Sequence, residues 1–543
     1  MVDVSVDRAT PRARRVGRAA TVPLPPALVW VPAAMVAAAM LLPLAYLLVR
    51  TLGAGGEALD LLLRGRTLAV LVRTVLLALA VTGASAVVAV PLAWLTVRTD
   101  LPLRRVWSVL TVLPMVIPSY VWGFILVAAF GPRGMLQQML AGPFGVERLP
   151  ELYGFTGAML ALVPVTYPYI LLSVRAALWG MDPAVEEASR SLGHGGRSTF
   201  FRVVLPQLRP AVAAGGLLAA LYTLSDFGAV SLLRFESFTQ QIYVQYQASF
   251  DRTMAALFSL VLVGLTVTLL VAEARARGRA RYYRSSGGAV RPPHQVRLGP
   301  WRWPALGFFG LVVFFGLMVP ISVLAFWLAR GVAAGEPLRL VWSAALRSVY
   351  ASGLAALVTV AAALPVAILA VRYRGRWSGI PERVAYIGFA LPGIVVALTL
   401  VFFGARYATP VYQTLGLLVF AYMVLFLPQA VGAARASLLQ ASPRMEEAAR
   451  GLGSPFLRVL ARITVPLVRP GLLAGAALVF LTAMKELPAT LVLSPIGFST
   501  LATEVWSAAS EGFFARAAAP ALLLILVSAG PVAMLTRRQG WHR

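Results

Sequence analysis

Long, uninterrupted apolar runs recur along the chain and are separated by short stretches rich in arginine, proline and glycine. A run of about 20 apolar residues is long enough to cross a bilayer as a helix. Twelve such segments can be placed, at 28–50, 68–97, 106–130, 155–180, 210–233, 253–274, 303–328, 341–371, 384–405, 410–434, 468–493 and 513–536. The pattern predicts an all-α integral membrane protein with twelve transmembrane helices.

The composition agrees with this interpretation. Of 543 residues, 59% are hydrophobic and 13% are charged, whereas a soluble chain is nearer half apolar and a quarter charged. Cysteine is absent, which excludes disulfides and thiolate metal sites. The three histidines, His194, His294 and His542, are scattered. We therefore expect no zinc or haem site and no cofactor bound by this chain.

The positive charge lies in alternate loops. The chain has 47 arginines and one lysine, Lys485, and 34 of the arginines lie in segments that share one side of the predicted membrane, against 10 on the other. This is the positive-inside pattern, not a nucleic-acid-binding surface. It places both termini in the cytoplasm, and the length of Ala27–Val49 favours an uncleaved first helix over a signal peptide.

The stretch Glu273–Pro300 has no apolar period and is rich in arginine, glycine and proline. Such a composition is typical of a linker. The predicted organisation is a cytoplasmic tail at 1–27, a first half at 28–274, a cytoplasmic linker at 275–302, a second half at 303–536 and a cytoplasmic tail at 537–543.

The two halves repeat each other in sequence. Downstream positions match at an offset of 260. Upstream prolines match at an offset of 274, Pro91 with Pro365 and Pro118 with Pro392, and are predicted to kink or break helices at matching places. The first half therefore has about 14 extra residues, which we place in the outer loop Gly131–Gly154. Two six-helix halves in the same orientation predict a pseudo-twofold axis along the membrane normal, with a pathway between the halves.

The most specific repeat lies in two cytoplasmic loops, at 182–206 and 442–466. Each carries Glu-Ala, then glycine, then proline at the same spacing; the residues are Glu187, Ala188, Gly193 and Pro206 in the first loop, and Glu447, Ala448, Gly453 and Pro466 in the second. Each loop predicts a short helix that starts at an N-cap followed by proline and ends at the glycine. Pairs four residues apart, Glu186 with Arg190 and Glu446 with Arg450, are predicted on one face.

These loops resemble the EAA loops of binding-protein-dependent ABC importer permeases. The resemblance implies that each loop carries a coupling helix that docks into a separate ATPase subunit, so two copies of that subunit and an extracytoplasmic binding protein are the implied partners. ATP and magnesium would then be used by the partner subunits. Ser189 departs from the alanine that the motif prefers. An interfacial helix on lipid headgroups would explain the charge of the loops but not their repetition.

The chain carries no ATP-binding loop of its own. A P-loop requires Gly-Lys followed by serine or threonine, and the sole lysine, Lys485, is followed by Glu486. We therefore expect a permease and not an enzyme. A secondary transporter would have a similar number of spans but would lack the paired loops.

Charged residues within spans are costly and usually face a pathway or a partner. Asp226 in the fifth span aligns with Glu486 in the eleventh at an offset of 260. One interpretation is that both carboxylates, with Lys485 and Tyr222, line the translocation pathway. The alternatives are a structural salt bridge with Lys485 or exposure at the interface.

The local sequences Leu224–Val230 and Lys485–Thr490 resemble matching segments of ferric iron importer permeases, so the resemblance implies ferric iron as the cargo. Permeases for thiamine, polyamines, sulfate and phosphonate share parts of these segments and remain alternatives. Hard oxygen ligands suit Fe³⁺, and Tyr243 and Tyr246 are further candidates, although tyrosines near span ends are usually interfacial. Transport requires weak binding, so no stable metal site is expected. Outer-loop residues are predicted either to meet the binding protein or to pack within the loops: Phe238, Thr239, Phe498 and Ser499. The expected location is the bacterial inner membrane.

Overall fold

The structure, a computed structural model, describes residues 26–53, 64–132, 134–146, 149–150, 152–247, 252–277, 295–335, 339–373, 375 and 377–540. Most of the predicted N-terminal tail, most of the predicted linker and the last three residues of the predicted C-terminal tail lie outside the described residues.

The first half of the described chain contains twelve α-helices, numbered α1 to α12. Their bounds are Ala27–Leu52, Gly65–Arg98, Arg104–Leu110, Ser119–Phe130, Met135–Phe144, Gly154–Gly180, Pro183–Ser191, Gly196–Thr199, Leu205–Ser225, Gly228–Leu232, Phe238–Gln247 and Arg252–Arg277.

The second half contains twelve more, α13 to α24. Their bounds are Arg302–Val313, Val319–Ala333, Arg339–Arg372, Ile380–Ala385, Gly393–Tyr407, Leu415–Gln440, Pro443–Gly451, Phe456–Val459, Val465–Met484, Pro488–Leu493, Leu501–Ser510 and Phe514–Gly540. Short 3₁₀ segments lie at Leu113–Val116, Gly299–Trp301, Tyr386–Ala390 and Thr409–Val411, and π-helical segments at Phe200–Val204, Phe314–Met318 and Leu460–Thr464.

Nine helical segments of the described chain are long and apolar enough to cross a membrane. Two bent pairs raise the number to eleven if each is one broken span: Arg104–Val116 with Ser119–Ala141, bent by 87°, and Ile380–Ala390 with Gly393–Tyr407, bent by 106°. The shorter apolar stretch Phe514–Ala529 lies at the twelfth predicted position. The all-α membrane fold in two halves is therefore confirmed, with segments at all twelve predicted places.

The bends occur at the two prolines predicted to break helices, Pro118 and Pro392. The preceding residues, Ile117 and Leu391, have extended ψ values of 119° and 109°, as expected because proline disfavours the α conformation in the residue before it. The other predicted pair, Pro91 and Pro365, lies inside the continuous helices α2 and α15.

The fifth and eleventh spans are not the continuous helices predicted at 210–233 and 468–493. Helix α9 ends at Ser225 and the chain becomes extended at Asp226, whose ψ is 130°, before α10 begins. Helix α21 likewise ends at Met484, and α22 begins at Pro488. The correction has a physical cause in the acidic side chains at these breaks, which bond to the backbone of the following short helices.

The first membrane helix of each half packs on the opposite half. Helix α1 packs on α15, α16 and α17 of the second half, and the tip of Met40 lies 3.1 Å from where a Cβ on Gly388 would be. In the mirror contact, a Cβ on Gly316 would lie 2.8 Å from Pro114 of the first half. The two halves are therefore interlocked.

The extra residues of the first half form helix α5, in the loop between Gly131 and Gly154 where the repeat offsets place them. Gly215 and Gly475, early in the fifth and eleventh spans, allow close helix packing: a Cβ on Gly215 would lie 2.5 Å from Cα of Ile170, and one on Gly475 would lie 3.3 Å from Cα of Ala430.

The described end of the linker is held against the first half. Val296 donates its N–H to the carbonyl of Arg98 at 2.8 Å and forms a parallel bridge with Thr99. Leu298 donates its N–H to the carboxylate of Asp100 at 2.8 Å. These hydrogen bonds hold the start of the second half against the loop that follows α2.

Candidate functional site

The two repeated loops form the short helices that their sequences predict, α7 and α19, called here the loop helices. In α7 the Asp182 carboxylate accepts the N–H of Ala184 at 3.1 Å, and Pro183 is the first helical residue. Ser442 occupies the same place before α19, but its side chain makes no capping bond. The N-cap prediction is confirmed for Asp182 and wrong for the Ser442 side chain.

Both loop helices end in the same hydrogen-bonded turn. Gly193 and Gly453 have positive φ values of 85° and 80°. Each glycine donates its N–H back to an arginine carbonyl at 2.9 Å, Arg190 or Arg450, and the next residue bonds one step further back. This is a Schellman turn, whose left-handed position favours glycine. The predicted role of both glycines as helix ends is confirmed.

Each loop helix exposes the Glu-Ala part of its motif. Glu187 and Ala188, like Glu447 and Ala448, are exposed. The leucine before each terminal glycine is also exposed, Leu192 to 78%. The exposed faces thus combine a carboxylate with small and apolar side chains.

The opposite faces are turned into the protein, and their ion pairs differ from the prediction. Glu186 pairs with Arg98 at 2.9 Å and not with Arg190, among the ion pairs of the described residues. Glu446 pairs with Arg372 at 3.1 Å, and its predicted partner Arg450 is more distant, at 3.7 Å. The first predicted pair is wrong because burial turns Glu186 toward the end of α2, and the second is confirmed as a secondary contact.

The loop prolines lie at the start of the next membrane helices. Pro206 is the second residue of α9 and Pro466 the second residue of α21. Each helix is preceded by a π-helical segment, Phe200–Val204 or Leu460–Thr464, at the same repeat offset. Such π turns are rare and often mark functional positions.

A second candidate site lies at the breaks of the fifth and eleventh spans. The Asp226 carboxylate accepts the N–H groups of Ala229 at 3.0 Å and Val230 at 3.3 Å, at the start of α10. The Glu486 carboxylate accepts those of Ala489 and Thr490, both at 3.0 Å, at the start of α22. Each carboxylate is thus stabilised by the N-terminus of a short helix.

The bent span next to each carboxylate contributes one matching position. Ser119, at the start of α4, lies beside the Asp226 carboxylate. Its counterpart at offset 274 is Gly393, at the start of α17, where a Cβ would lie 2.6 Å from Glu486 Oε1. The shorter acid therefore faces serine and the longer acid faces glycine. The repeat offset of 274 relates these two positions and is a signal in the sequence that could have found the pair.

Lys485 does not form the predicted alternative salt bridge. Its Nζ donates to the carbonyl of Met115 in the first half at 3.1 Å, and no ion pair among the described residues joins it to Asp226 or Glu486. The structural salt bridge is thus wrong, because the backbone N–H groups already satisfy the two acids. Lys485 instead connects the two halves.

The three tyrosines predicted as candidate ligands pack against different neighbours. Tyr222 stands four residues before Asp226, and its ring is 6.1 Å from that of Tyr169. Tyr243 packs on Phe227 at 4.8 Å, and Tyr246 lies 6.0 Å from Phe402 of the second half. Of these three predicted tyrosines, Tyr222 is the one that lies beside a carboxylate, that of Asp226.

The outer-loop residues divide between the two predicted alternatives. Phe238 and Thr239 are fully buried, and the Thr239 hydroxyl donates to the Asp226 carbonyl at 2.5 Å. Both therefore pack within the loops and are not available to a partner. Phe498 and Ser499 are half-buried.

Comparison with known proteins identifies the family. Residues 85–280 and 360–539 match the family described as "Binding-protein-dependent transport system inner membrane component". The chain belongs to this family. It is a multi-pass inner-membrane permease of a binding-protein-dependent ABC transporter, a system whose ATPase is a separate subunit and which includes a binding protein, as predicted.

Individual relatives match most or part of the chain. The Fe(3+)-transport system permease protein FbpB 2 of Haemophilus influenzae is 35% identical over 91% of this chain and 95% of its own. The ferric transport system permease protein FbpB of Actinobacillus pleuropneumoniae is 26% identical over 77% of this chain and 64% of its own. The molybdenum transport system permease protein ModB of Escherichia coli is 31% identical over 38% of this chain and 93% of its own.

Proposed function

We propose that this permease carries ferric iron inward between its two halves, driven by two copies of an ATPase subunit that dock on the loop helices. The proposal of two docking sites rests on the exposed faces of α7 and α19, which the repeat duplicates. The relatives named for ferric transport, one of which covers 91% of the chain, support iron as the cargo. The same proposal includes the domain boundaries predicted from the sequence and a cytoplasmic location for both termini.

The docking role follows from the shape and chemistry of the loop helices. Each is short, ends in a rigid glycine turn and presents one carboxylate, Glu187 or Glu447, beside exposed apolar side chains. An apolar helix face with one charged group is suited to a cleft that buries the apolar part and pairs the charge. Both docking faces lie on the side of the membrane where the arginines concentrate.

The pathway role rests on Asp226 and Glu486. Both lie at helix breaks inside the membrane segments, and irregular backbone at that depth is tolerated where it is covered by protein or lines a cavity. Oxygen ligands suit a hard trivalent cation. Because the carboxylates already accept backbone N–H groups, a passing cation must compete for them. That competition keeps binding weak, as transport requires.

The reception of iron at the outer face is part of the same proposal. A binding protein on that side would release its cargo above the seam between the halves. Here the ring of Phe227 lies 5.0 Å from that of Trp506 in the other half, and both side chains are buried. This buried aromatic contact joins the two halves next to Asp226.

Uptake of radiolabelled ferric iron tests the proposal. Cells that lack the gene are complemented with wild type, with Asp226→Asn/Glu486→Gln, or with Glu187→Ala/Glu447→Ala. We expect wild type alone to restore uptake, and the first double variant to retain the ATPase while the second loses it. Unchanged iron uptake in the deletion strain, with no redundant system, would refute iron as the cargo, and labelled thiamine, polyamine, sulfate and phosphonate would be tried next.

A further inference from the structure

Two buried ion pairs stand at equivalent places in the two halves. Arg98 Nη2 lies 2.9 Å from Glu186 Oε1, with side chains 2% and 11% exposed. Arg372 Nε lies 3.1 Å from Glu446 Oε1, with side chains 11% and 6% exposed. The arginines are related by the offset of 274 and the glutamates by the offset of 260. The pairs are therefore a property of the repeat and not of one loop.

Each pair joins a loop helix to the cytoplasmic end of a long membrane helix. Arg98 is the last residue of α2 and Arg372 the last residue of α15. Each arginine also donates to a carbonyl at the entrance to its loop, that of Leu178 at 3.4 Å or of Ala441 at 3.0 Å. The glutamates lie on the inner faces of the loop helices, opposite the exposed docking faces.

The outer parts of the same two helices hold the outer loops. Arg73 of α2 pairs with Glu236, and the neighbouring Thr74 hydroxyl accepts the N–H of Phe238 at 3.3 Å. In the second half Arg347 of α15 donates to the carbonyl of Gly497 at 2.7 Å, and the Ser348 hydroxyl accepts the N–H of Leu501 at 2.8 Å. These loops follow the short helices that cap the two carboxylates.

Helix α2 therefore connects the loop helix α7 at one end with the loop beside Asp226 at the other. From Arg73 to Arg98 it runs about 38 Å at 1.5 Å per residue. Its outer contacts lead through Thr239, whose hydroxyl bonds to the carbonyl of Asp226. The helix is continuous over this length, although Pro91 removes one backbone hydrogen bond inside it, so a displacement at its inner end would be transmitted along it to the outer loop.

The ion pairs are better suited than apolar contacts to transmit a displacement of the loop helices to α2 and α15. A buried ion pair adds little net stability compared with well-packed apolar side chains. It does, however, resist separation, because the opposite charges attract in a buried setting, and in the second half Arg372 Nε also donates a hydrogen bond to Glu446 Oε1 at 3.1 Å. The covalent exit from each loop helix runs instead through a π-helical segment, where the backbone ladder is irregular.

We propose that Arg98–Glu186 and Arg372–Glu446 are positioning pairs that transmit displacement of the loop helices into α2 and α15 and from there to the outer loops at the carboxylate site. The inference rests on the proposed docking of the ATPase on the loop helices. It assigns the pairs to transmission and not to docking, so the two roles are separable by experiment.

The test measures inner and outer movement in the complete complex of this chain with its ATPase subunits, in lipid nanodiscs. The chain has no cysteine, so introduced cysteines carry spin labels without background. Gly195→Cys with Pro455→Cys reports on positions just past the glycine turns of the two loop helices, outside the docking faces. Thr156→Cys with Gly416→Cys reports on the outer ends of α6 and α18. All four positions are exposed, and a side chain at Gly416 makes only ordinary contacts.

In wild type we expect a non-hydrolysable ATP analogue to shorten the inner distance and lengthen the outer one. In the fourfold variant Arg98→Met/Glu186→Met/Arg372→Met/Glu446→Met the inner change should persist, while the outer change falls by at least half. The milder Arg98→Lys/Arg372→Lys variant, which keeps the charge but loses the planar fork, should give an intermediate outer change and tests the inference if the fourfold variant does not fold.

A matched control removes an ion pair on the same side that does not touch a loop helix. Arg435 and Glu382 pair at 2.8 Å between α18 and α16, and Arg435→Met/Glu382→Met should leave both distance changes as in wild type. A wild-type outer change in the fourfold variant, or in the lysine variant where the fourfold one does not fold, would overturn the inference. If the inner distance in wild type does not change when the ATP analogue is added, the docking proposal is overturned, and the inference with it.

Discussion

At the scale of single residues, the two carboxylates of the broken spans are each matched to one small residue of a bent span. Asp226 meets Ser119, and Glu486 meets Gly393. The longer acid leaves no room for a side chain at position 393, and the shorter acid leaves room for the hydroxymethyl side chain of Ser119. The pair of positions therefore keeps each carboxylate against the N-terminus of its own short helix.

A methyl group at position 393 tests this packing. A Cβ there would lie 2.6 Å from Glu486 Oε1 and 3.1 Å from Pro488 Cγ. We expect Gly393→Ala to displace the carboxylate from its N–H donors and to lower iron uptake about fivefold, since one such bond is worth about 1 kcal/mol. The uptake assay checks this. Gly307→Ala, where nothing lies within 4 Å, is the control, and equal uptake by both variants would contradict the prediction.

At the scale of elements, the loop helices depend on local signals that are visible in the sequence. Proline at the start and glycine at the end set their bounds, because proline fixes φ at a helical value and glycine readily adopts the left-handed conformation that ends the helix. The partners of Glu186 and Glu446 were missed for the opposite reason. Arg98 and Arg372 are far away in the sequence, and only packing of α2 and α15 brings them close, although both arginines repeat at the offset of 274.

The glycine turns give a prediction at this scale. Alanine at position 193 or 453 must adopt a left-handed conformation, which costs about 1–2 kcal/mol. We expect Gly193→Ala/Gly453→Ala to weaken binding of the ATPase subunit about fivefold or more, because the end of each docking face is distorted. Titration of the ATPase against the purified permease measures this. Gly195→Ala lies in the same loop without positive φ or close neighbours, and an equal loss of affinity in that variant would argue against the turn as the cause.

At the scale of the whole molecule, the sequence predicts the twelve segments and their two halves because hydrophobic length and arginine placement are strong signals. It does not predict that α1 crosses to the second half, or that Lys485 bonds to Met115 of the first half. Both are contacts between halves, and no local pattern encodes them. The breaks at Asp226 and Lys485–Glu486 were missed because their flanking residues are apolar enough for one continuous helix.

The interlocked first helices predict that the halves assemble without a covalent linker. If the chain is divided between Gly287 and Gly288 and the fragments are co-expressed, we expect a tag on one fragment to recover the other, with at least half of the wild-type uptake. The second fragment keeps Val296 and Leu298, which bond to the loop after α2. Removing 1–52 from the first fragment takes away α1 and its packing on α15 to α17, so recovery should fall sharply. Fragments that separate even with α1 present would show that the linker, and not the crossed helices, holds the halves together.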